Sequence, residues 1–256
     1  MIWLRSLVYN VFLFTWLTLV LIVLVPFGFM PRRYMRAIVL YWARTNQAAL
    51  TAITGLDCEV RGRENLPDGP VVLACMHQSF WETAFLLTLF ENAAFVLKKE
   101  LLSIPLWGWY SRRWGNVSVE RDGAASALRK MLREARDRIA AGRPIVIFPE
   151  GTRVAPGERR PLHVGVAALY VGLAVPVVPV ALNSGVFWGR RAFLKYPGVI
   201  TLEFLPPIPT GLDKRIFLAE LQSRFEGASE RIRQEAETSA PAGPRLRAAA
   251  EDRDSA

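Results

Sequence analysis

His77 is one of only two histidines in the 256-residue chain. It follows an apolar string ending at Met76 and opens His-Gln-Ser-Phe-Trp-Glu, so it stands where a strand feeds a helix and where side chains reach a pocket at the strand ends. Glu82 lies five positions on. With the histidine in the loop and the glutamate about one turn into the helix, the carboxylate can accept the Nδ1 proton, fix the tautomer and leave Nε2 free as a general base. The same spacing also describes a histidine that is merely hydrogen-bonded. His163 has no such partner close in sequence and reads as structural or as a phosphate contact.

A second group of reactive types follows Ile145, Val146, Ile147 and Phe148, an apolar string that runs straight into Pro149, Glu150, Gly151, Thr152 and Arg153. A strand that ends this way brings four functions to one sheet edge: a glycine that permits close backbone approach, a hydroxyl, a carboxylate and a planar guanidinium fork suited to phosphate oxygens. The plainer alternative is a turn closed by a salt bridge between Glu150 and Arg153.

The elements that must position these groups are short. Leu56–Val60, Val71–Met76, Ala94–Leu97, Asn116–Val119, Pro144–Phe148, Val175–Leu182 and Val199–Leu205 are strand candidates. Between two of them, Ala124–Ala141 carries Leu128, Met131, Leu132, Ala135 and Ile139 on one face, with Gly142 just after its end. Leu212–Glu237 is a last helix, beginning near Asp213. Strands alternating with such a helix give an α/β domain around a mixed or mostly parallel central sheet flanked by helices. No internal repeat is visible. The expected organisation is a membrane-associated helix pair over residues 1–54, one α/β domain over 55–238, and a frayed tail over 239–256 rich in Ala, Pro, Arg and acid.

The chain is 52% hydrophobic with a net charge of +9 and two cysteines, which excludes a disordered or disulfide-stapled protein and suffices for one large core. Cys58 and Cys75 each sit in an apolar string and read as small buried hydrophobes in a reducing compartment. Leu7–Val25 carries no charge and is about as long as a bilayer core requires. It ends in Pro26 to Pro31 and then Arg32, Arg33 and Arg36, not in a small-residue cleavage site, so it reads as retained. Tyr34–Thr54 interleaves apolar residues with Arg36, Arg44, Asn46 and Gln47, which suits a helix at headgroup level. Two arrangements fit: one spanning helix plus an interfacial one, or a two-helix hairpin dipped into a single leaflet. The arginines after the first segment outnumber the single Arg5 before it, which places the rest of the chain in the cytoplasm, at an inner membrane.

Four blocks in order, HQSFWE at His77–Glu82, VSVERDG at Val117–Gly123, FPEGTR at Phe148–Arg153 and VPVVPVAL at Val175–Leu182, resemble those of the glycerolipid acyltransferase family. The resemblance covers roughly Val71–Leu182, with weaker likeness through Lys98, Lys99, Glu100 and Leu101. It is nearest in kind to the bacterial 1-acyl-glycerol-3-phosphate acyltransferases, which have a similar length and a membrane-associated N-terminal helix pair. That family's first block usually has Asp where this chain has Glu82, and often Asn where it has Met76; its second block has Asp where this chain has Glu120. Glutamate keeps the charge but adds a methylene, so the dyad needs a slightly different backbone.

The resemblance implies a glycerolphosphate-acyltransferase-like fold and transfer of an acyl group from a thioester to the sn-2 hydroxyl of lysophosphatidate, giving phosphatidate for phospholipid synthesis. His77 would be the base and Glu82 its orienting acid. Arg121, Glu150, Gly151, Thr152 and Arg153 would hold the acceptor's phosphate, Lys98 would also face substrate, and Pro179 with its neighbours would shape the acyl-binding side. No covalent intermediate is required, and backbone amides near the His77 turn are candidate oxyanion donors. The partners are then a phospholipid membrane, lysophosphatidate, and acyl-CoA or acyl carrier protein as co-substrate, with no other cofactor. The histidines and carboxylates lack zinc-ligand spacing, so no metal is expected. Other acceptors share the motifs: glycerol-3-phosphate, other lysophospholipids or a lyso-ornithine lipid. A hydrolase would need a G-x-S-x-G elbow, which is missing. A non-catalytic basic membrane protein remains a different class of reading; no nucleic-acid reading motif accompanies the charge, so no nucleic acid is expected.

Overall fold

The structure is a computed structural model that describes residues 1–27, 29, 31–120 and 125–239. Helix α1 (Ile2–Phe27) and helix α2 (Arg32–Thr54) form an antiparallel pair. Ser6, Tyr9, Leu13, Val20 and Leu24 make the buried stripe of α1, while Leu4, Val8, Val11, Phe14, Leu19 and Ile22 point outward. A helix apolar all round can face a packed partner on one side and an apolar medium on the other. Two polar contacts fix the register of the pair: the Tyr9 hydroxyl donates to Asn46 Oδ1 at 3.1 Å, and Trp16 Nε1 donates to Thr45 Oγ1 at 2.8 Å. Gly55 ends α2 in a left-handed conformation (φ 75°), its N–H returning to the Thr51 carbonyl at 2.9 Å.

Strands β1 (Leu56–Arg61), β2 (Val72–Cys75), β3 (Ala94–Lys98), β4 (Val117–Val119), β5 (Ile145–Ile147), β6 (Val177–Leu182) and β7 (Gly198–Phe204) form one seven-stranded sheet in the order β1-β7-β6-β2-β5-β3-β4. All neighbours run parallel except β6 and β7, so the sheet is mixed, as expected. Helix α3 (Trp81–Leu89) follows β2, α4 (Trp107–Trp114) precedes β4, and α5 (Ala125–Ala140) and α6 (Val164–Leu173) pack together. The short α7 (Ser184–Phe187) follows β6. The last helix, α8 (Lys214–Ser239), buries Phe217, Leu221, Phe225, Ala228, Ile232 and Ala236 at helical spacing.

All seven strand strings of the sequence are strands here, and α5 buries Met131 and Ala135 on the expected face. Helices α4 and α6 carry no clear sequence signal. The α6 segment VGVAALYVGL holds two glycines and three valines with no polar face, so packing rather than local preference makes it helical. Cys58 and Cys75 are free thiols, and burial pushes the first up to about 12 and the second well above its ordinary value.

The helix pair is fastened to the domain at both ends of α1. Near its start, Ser6 and Asn10 bond the Phe193–Lys195 segment: Lys195 N donates to Ser6 Oγ at 2.9 Å, and Asn10 Nδ2 donates to the Phe193 carbonyl at 3.0 Å. The buried Lys195 ammonium donates to Asn10 Oδ1 and to the Phe193 carbonyl at 2.9 Å, and lies 4.8 Å from the Trp188 ring centroid. Near the end of α1, the Tyr110 hydroxyl donates to the Leu21 carbonyl at 2.8 Å.

Candidate active site

Strands β2 and β5 are adjacent and parallel, with Val72 opposite Ile145 and Ala74 opposite Ile147. Their carboxyl ends therefore deliver the His77 loop and the Phe148–Arg153 turn to the same place, the general location of sites in open α/β sheets. The two blocks are parts of one structure. The His77 ring stacks on Phe148 with centroids 4.1 Å apart. The His77 N–H donates to Glu150 Oε2 at 2.7 Å, and its carbonyl accepts from Val154 N at 2.7 Å.

Glu82 lies in the first turn of α3 and is fully buried. Its Oε1 accepts from His77 Nδ1 at 2.8 Å, Gln78 N at 2.7 Å and Ser79 N at 2.7 Å, while Oε2 accepts from Ser184 Oγ at 2.9 Å. Four donors and the helix N-terminus offset the cost of burying this charge. The longer glutamate thus reaches the histidine while still serving the amides of its own loop. His77 Nε2 has no partner among the described residues, and the ring side chain is 15% exposed.

The turn after β5 divides its labour differently from the expectation that all of it holds phosphate. Gly151 takes a left-handed conformation (φ 65°), its N–H closing on the Phe148 carbonyl at 2.9 Å. Glu150 is turned inward to the His77 N–H, and burial pushes its carboxyl up to about 8. Neither an ion pair nor a hydrogen bond joins it to Arg153 among the described residues, so the salt-bridged turn is not what forms. Arg153 Nε donates to the Ser79 carbonyl at 3.0 Å, which leaves its two terminal nitrogens without partners among the described residues. Thr152 is half-buried with an unpaired hydroxyl on the same terms. Lys98 ends β3, exposed at the carboxyl edge beyond β5. Arg121 lies outside the described residues.

Two sequence expectations change. The amides of the His77 turn are not available to an oxyanion, because His77, Gln78 and Ser79 N–H groups are committed to Glu150 and Glu82. Pro179 lies in β6, which is buried throughout between β2 and β7, so it belongs to the core and not to an exposed acyl-binding surface. Ser184, Gln78 and Phe148 escaped sequence reasoning as parts of the dyad's support. Gly185 N donates to Gln78 Oε1 at 2.9 Å, tying the loop after β6 to the loop after β2. Only the pairing of β6 with β2 brings Ser184 to Glu82, 102 positions away. His163, in an extended conformation before α6, donates its backbone N–H to the Pro149 carbonyl at 2.8 Å and supports the turn from behind.

A mixed sheet whose central carboxyl edge presents a carboxylate-held histidine, behind an apolar helix, agrees with the acyltransferase resemblance of the four sequence blocks. Residues 57–183 match the family model described as Acyltransferase. A Pseudomonas aeruginosa 1-acyl-sn-glycerol-3-phosphate acyltransferase is 34% identical over 83% of this chain and 82% of its own length. The Helicobacter pylori 1-acyl-sn-glycerol-3-phosphate acyltransferase is 25% identical over 72% of this chain and 79% of its own. The crystal structure of the 1-acyl-sn-glycerophosphate acyltransferase PlsC from Thermotoga maritima shares the fold at a TM-score of 0.72 and 23% identity, over 91% of this chain and 98% of that one. The chain belongs to the 1-acyl-sn-glycerol-3-phosphate acyltransferase family and is an O-acyltransferase. That membership sets aside the non-catalytic reading.

Proposed function

We propose that the protein transfers a fatty acyl group from an acyl thioester, on coenzyme A or acyl carrier protein, to the sn-2 hydroxyl of 1-acyl-sn-glycerol-3-phosphate, forming phosphatidate. The observation that carries this reading is the buried Glu82 bonded to His77 Nδ1 with Nε2 left free. Nε2 removes the hydroxyl proton as the oxygen attacks the thioester carbonyl, and Glu82 stabilises the imidazolium that forms. The tetrahedral intermediate then collapses: the C–S bond breaks, the thiolate takes the proton back from His77, and the ester remains. Such general-base help contributes on the order of 10²–10⁴-fold. Glu150 and Phe148 act as positioning residues through the His77 backbone and ring.

The helix pair belongs in one leaflet of the inner membrane. Helix α1 has 26 residues and is about 39 Å long. Contacts to the domain near both Ser6 and Leu21 support an orientation along the domain surface, whereas a helix crossing the roughly 30 Å core would carry one end out of the domain's reach. Its outward apolar face suits acyl chains, and Arg32, Arg33 and Arg36 after it suit the anionic headgroups of the cytoplasmic leaflet. A lysophospholipid acceptor then reaches His77 with its own acyl chain still in the bilayer. Domain bounds of 1–54 and 55–238 describe this division.

The test is acyl transfer by the detergent-purified chain from a labelled acyl thioester to lysophosphatidate and to a panel of other acceptors, beside His77→Ala. Phosphatidate formation that falls by several orders of magnitude in the variant is the expected result. Failure to acylate any acceptor, or equal rates for both proteins, refutes the proposal.

A further inference from the structure

We propose that Gln47 of helix α2 and Trp81 are positioning residues, which fix the first turn of α3, and with it the Glu82 carboxylate, against His77. The inference rests on the His77-based acylation proposed above and gives the helix pair a part in catalysis besides its place in the leaflet. Within the block His77–Glu82, Phe80 and Trp81 take no part in the hydrogen bonds of the dyad. Trp81 is 2% exposed, and its Nε1 donates to Gln47 Oε1 at 2.7 Å. The amide nitrogen of Gln47 donates to Thr51 Oγ1 at 3.3 Å, so the amide is held with its oxygen toward the indole. The Trp81 ring also stacks on Phe85, with centroids 4.4 Å apart.

The catalytic loop is gripped by two sets of elements. From the loops after β5 and β6, Glu150, Arg153 and Ser184 bond the His77 N–H, the Ser79 carbonyl and the Glu82 carboxylate. From the helix pair, α2 packs on α3, and among the described residues the bond from Trp81 to Gln47 is the one hydrogen bond between those two helices. Phe80 is framed by Trp42 of α2, edge-on at 6.4 Å, and by Trp188 at 6.1 Å, itself edge-on to Tyr9 of α1 at 5.6 Å. Tyr9 in turn bonds Asn46, the residue before Gln47, so the register of the helix pair and the seat of the loop are one arrangement.

The start of α3 is weakly fixed without this link. Phe80 precedes the helix with no side-chain cap, and Trp81 N reaches Ser79 Oγ only at 3.3 Å. Glu82 follows Trp81 directly, and its Oε1 meets His77 Nδ1 at 2.8 Å. Removing the Gln47 acceptor strands a buried indole N–H, and the turn relieves this by shifting toward another acceptor or water. A displacement of about 1 Å that misplaces a catalytic group costs up to about 10²-fold in rate. The loss falls on kcat, because the alignment of base and carboxylate is used in the transition state and not in holding the acceptor.

The full-length protein is assayed in uncharged detergent micelles with acyl-CoA and lysophosphatidate, beside Gln47→Leu, Gln47→Glu, Trp81→Phe and the Gln47→Leu/Trp81→Phe double variant. The expected result is a kcat roughly fivefold to twentyfold lower in Gln47→Leu and in Trp81→Phe, with KM within about twofold. Gln47→Glu, which still accepts from the indole, should recover to within about threefold of the native kcat. The double variant should fall no more than about twofold below the worse single one, since both remove the same bond. The downfield proton resonance of the His77 Nδ1–H, identified by its loss in His77→Ala, should broaden or vanish in Gln47→Leu and Trp81→Phe and persist in Gln47→Glu, a pattern that a merely structural role would not give. Native kcat in folded Gln47→Leu, losses that multiply in the double variant, or a rise in KM alone overturns the inference. Should Gln47→Leu not fold, native kcat in Trp81→Phe, which keeps the stacked ring, overturns it equally. If the native chain acylates no acceptor yet the resonance follows this pattern, the acylation reading fails and the positioning stands; a resonance unchanged in every Gln47 and Trp81 variant overturns the positioning.

Discussion

Replacing Glu82 by Gln separates the charge of this residue from its geometry, because its surroundings dictate how an amide must sit. Oε1 accepts from His77 Nδ1, Gln78 N and Ser79 N, so only an oxygen can occupy that position. The glutamine carbonyl takes it and the amino group turns to Ser184 Oγ, which can accept as readily as it donates. The histidine keeps its ring orientation and its tautomer, and only the negative charge is lost. Two unit charges about 4 Å apart attract by about 4 kcal/mol at an effective dielectric of about 20. With the proton about half transferred in the transition state, about half of this, roughly 2 kcal/mol, is lost, or roughly 30-fold in kcat. Steady-state transfer of a labelled acyl group to lysophosphatidate gives kcat and KM, and far-ultraviolet circular dichroism checks folding. We expect KM within about twofold and a kcat well above that of His77→Ala, whose loss should be on the order of 10²–10⁴-fold. Glu82→Ala should be worse than the glutamine variant in both respects, since it strands two buried amide donors at about 1–3 kcal/mol each. Native activity in Glu82→Gln, or a fall to the His77→Ala level, would refute the reasoning.

Other expectations follow from the same contacts. Burial raises the Glu150 carboxyl from the ordinary carboxylate range to about 8, so its contribution to stability is fully present below about pH 4.5 and is lost as pH rises through 8. Glu150→Gln, which still accepts the His77 N–H, should flatten the decline of melting temperature between pH 5 and 8; an identical slope in both proteins would contradict this. Ser184→Ala removes one donor from the Glu82 carboxylate and should lower kcat roughly threefold to tenfold without shifting KM, read in the same transfer assay. Gly185→Ala forces a Cβ to within 2.9 Å of Pro156 and 3.0 Å of Gln78, so it should push the loops after β6 and β2 apart and lower both kcat and melting temperature. Glutamates at Val11 and Phe14, on the outward face of α1, should release the protein from liposomes in flotation while leaving activity on micellar lysophosphatidate intact.

Much of the scaffold was legible in the sequence because it is written locally. The seven apolar strings between turn residues became the seven strands, and the α5 stripe of Met131 and Ala135 was buried as its period requires. Helix α1 announced itself by an uncharged run of bilayer length. The spacing from His77 to Glu82 also stated a contact, since loop and first helical turn are close in the chain; the 2.8 Å pair follows from that spacing. Local pattern could not assign α6, apolar on every side, nor locate what the Phe148–Arg153 block does.

Those were tertiary decisions. The sequence placed Glu150 at a sheet edge, but only the pairing of β5 with β2 turns its carboxylate inward to the His77 N–H and Phe148 under the imidazole. The hydroxyl on Glu82 comes from Ser184, far along the chain, and reaches it because β6 neighbours β2. Sequence periodicity reports which face of an element is apolar; strand order, which sums weak pairings across the whole chain, decides which loops share an edge. The contact between the histidine and its carboxylate was therefore set by residues five apart, and its frame by contacts that only the assembled sheet could make.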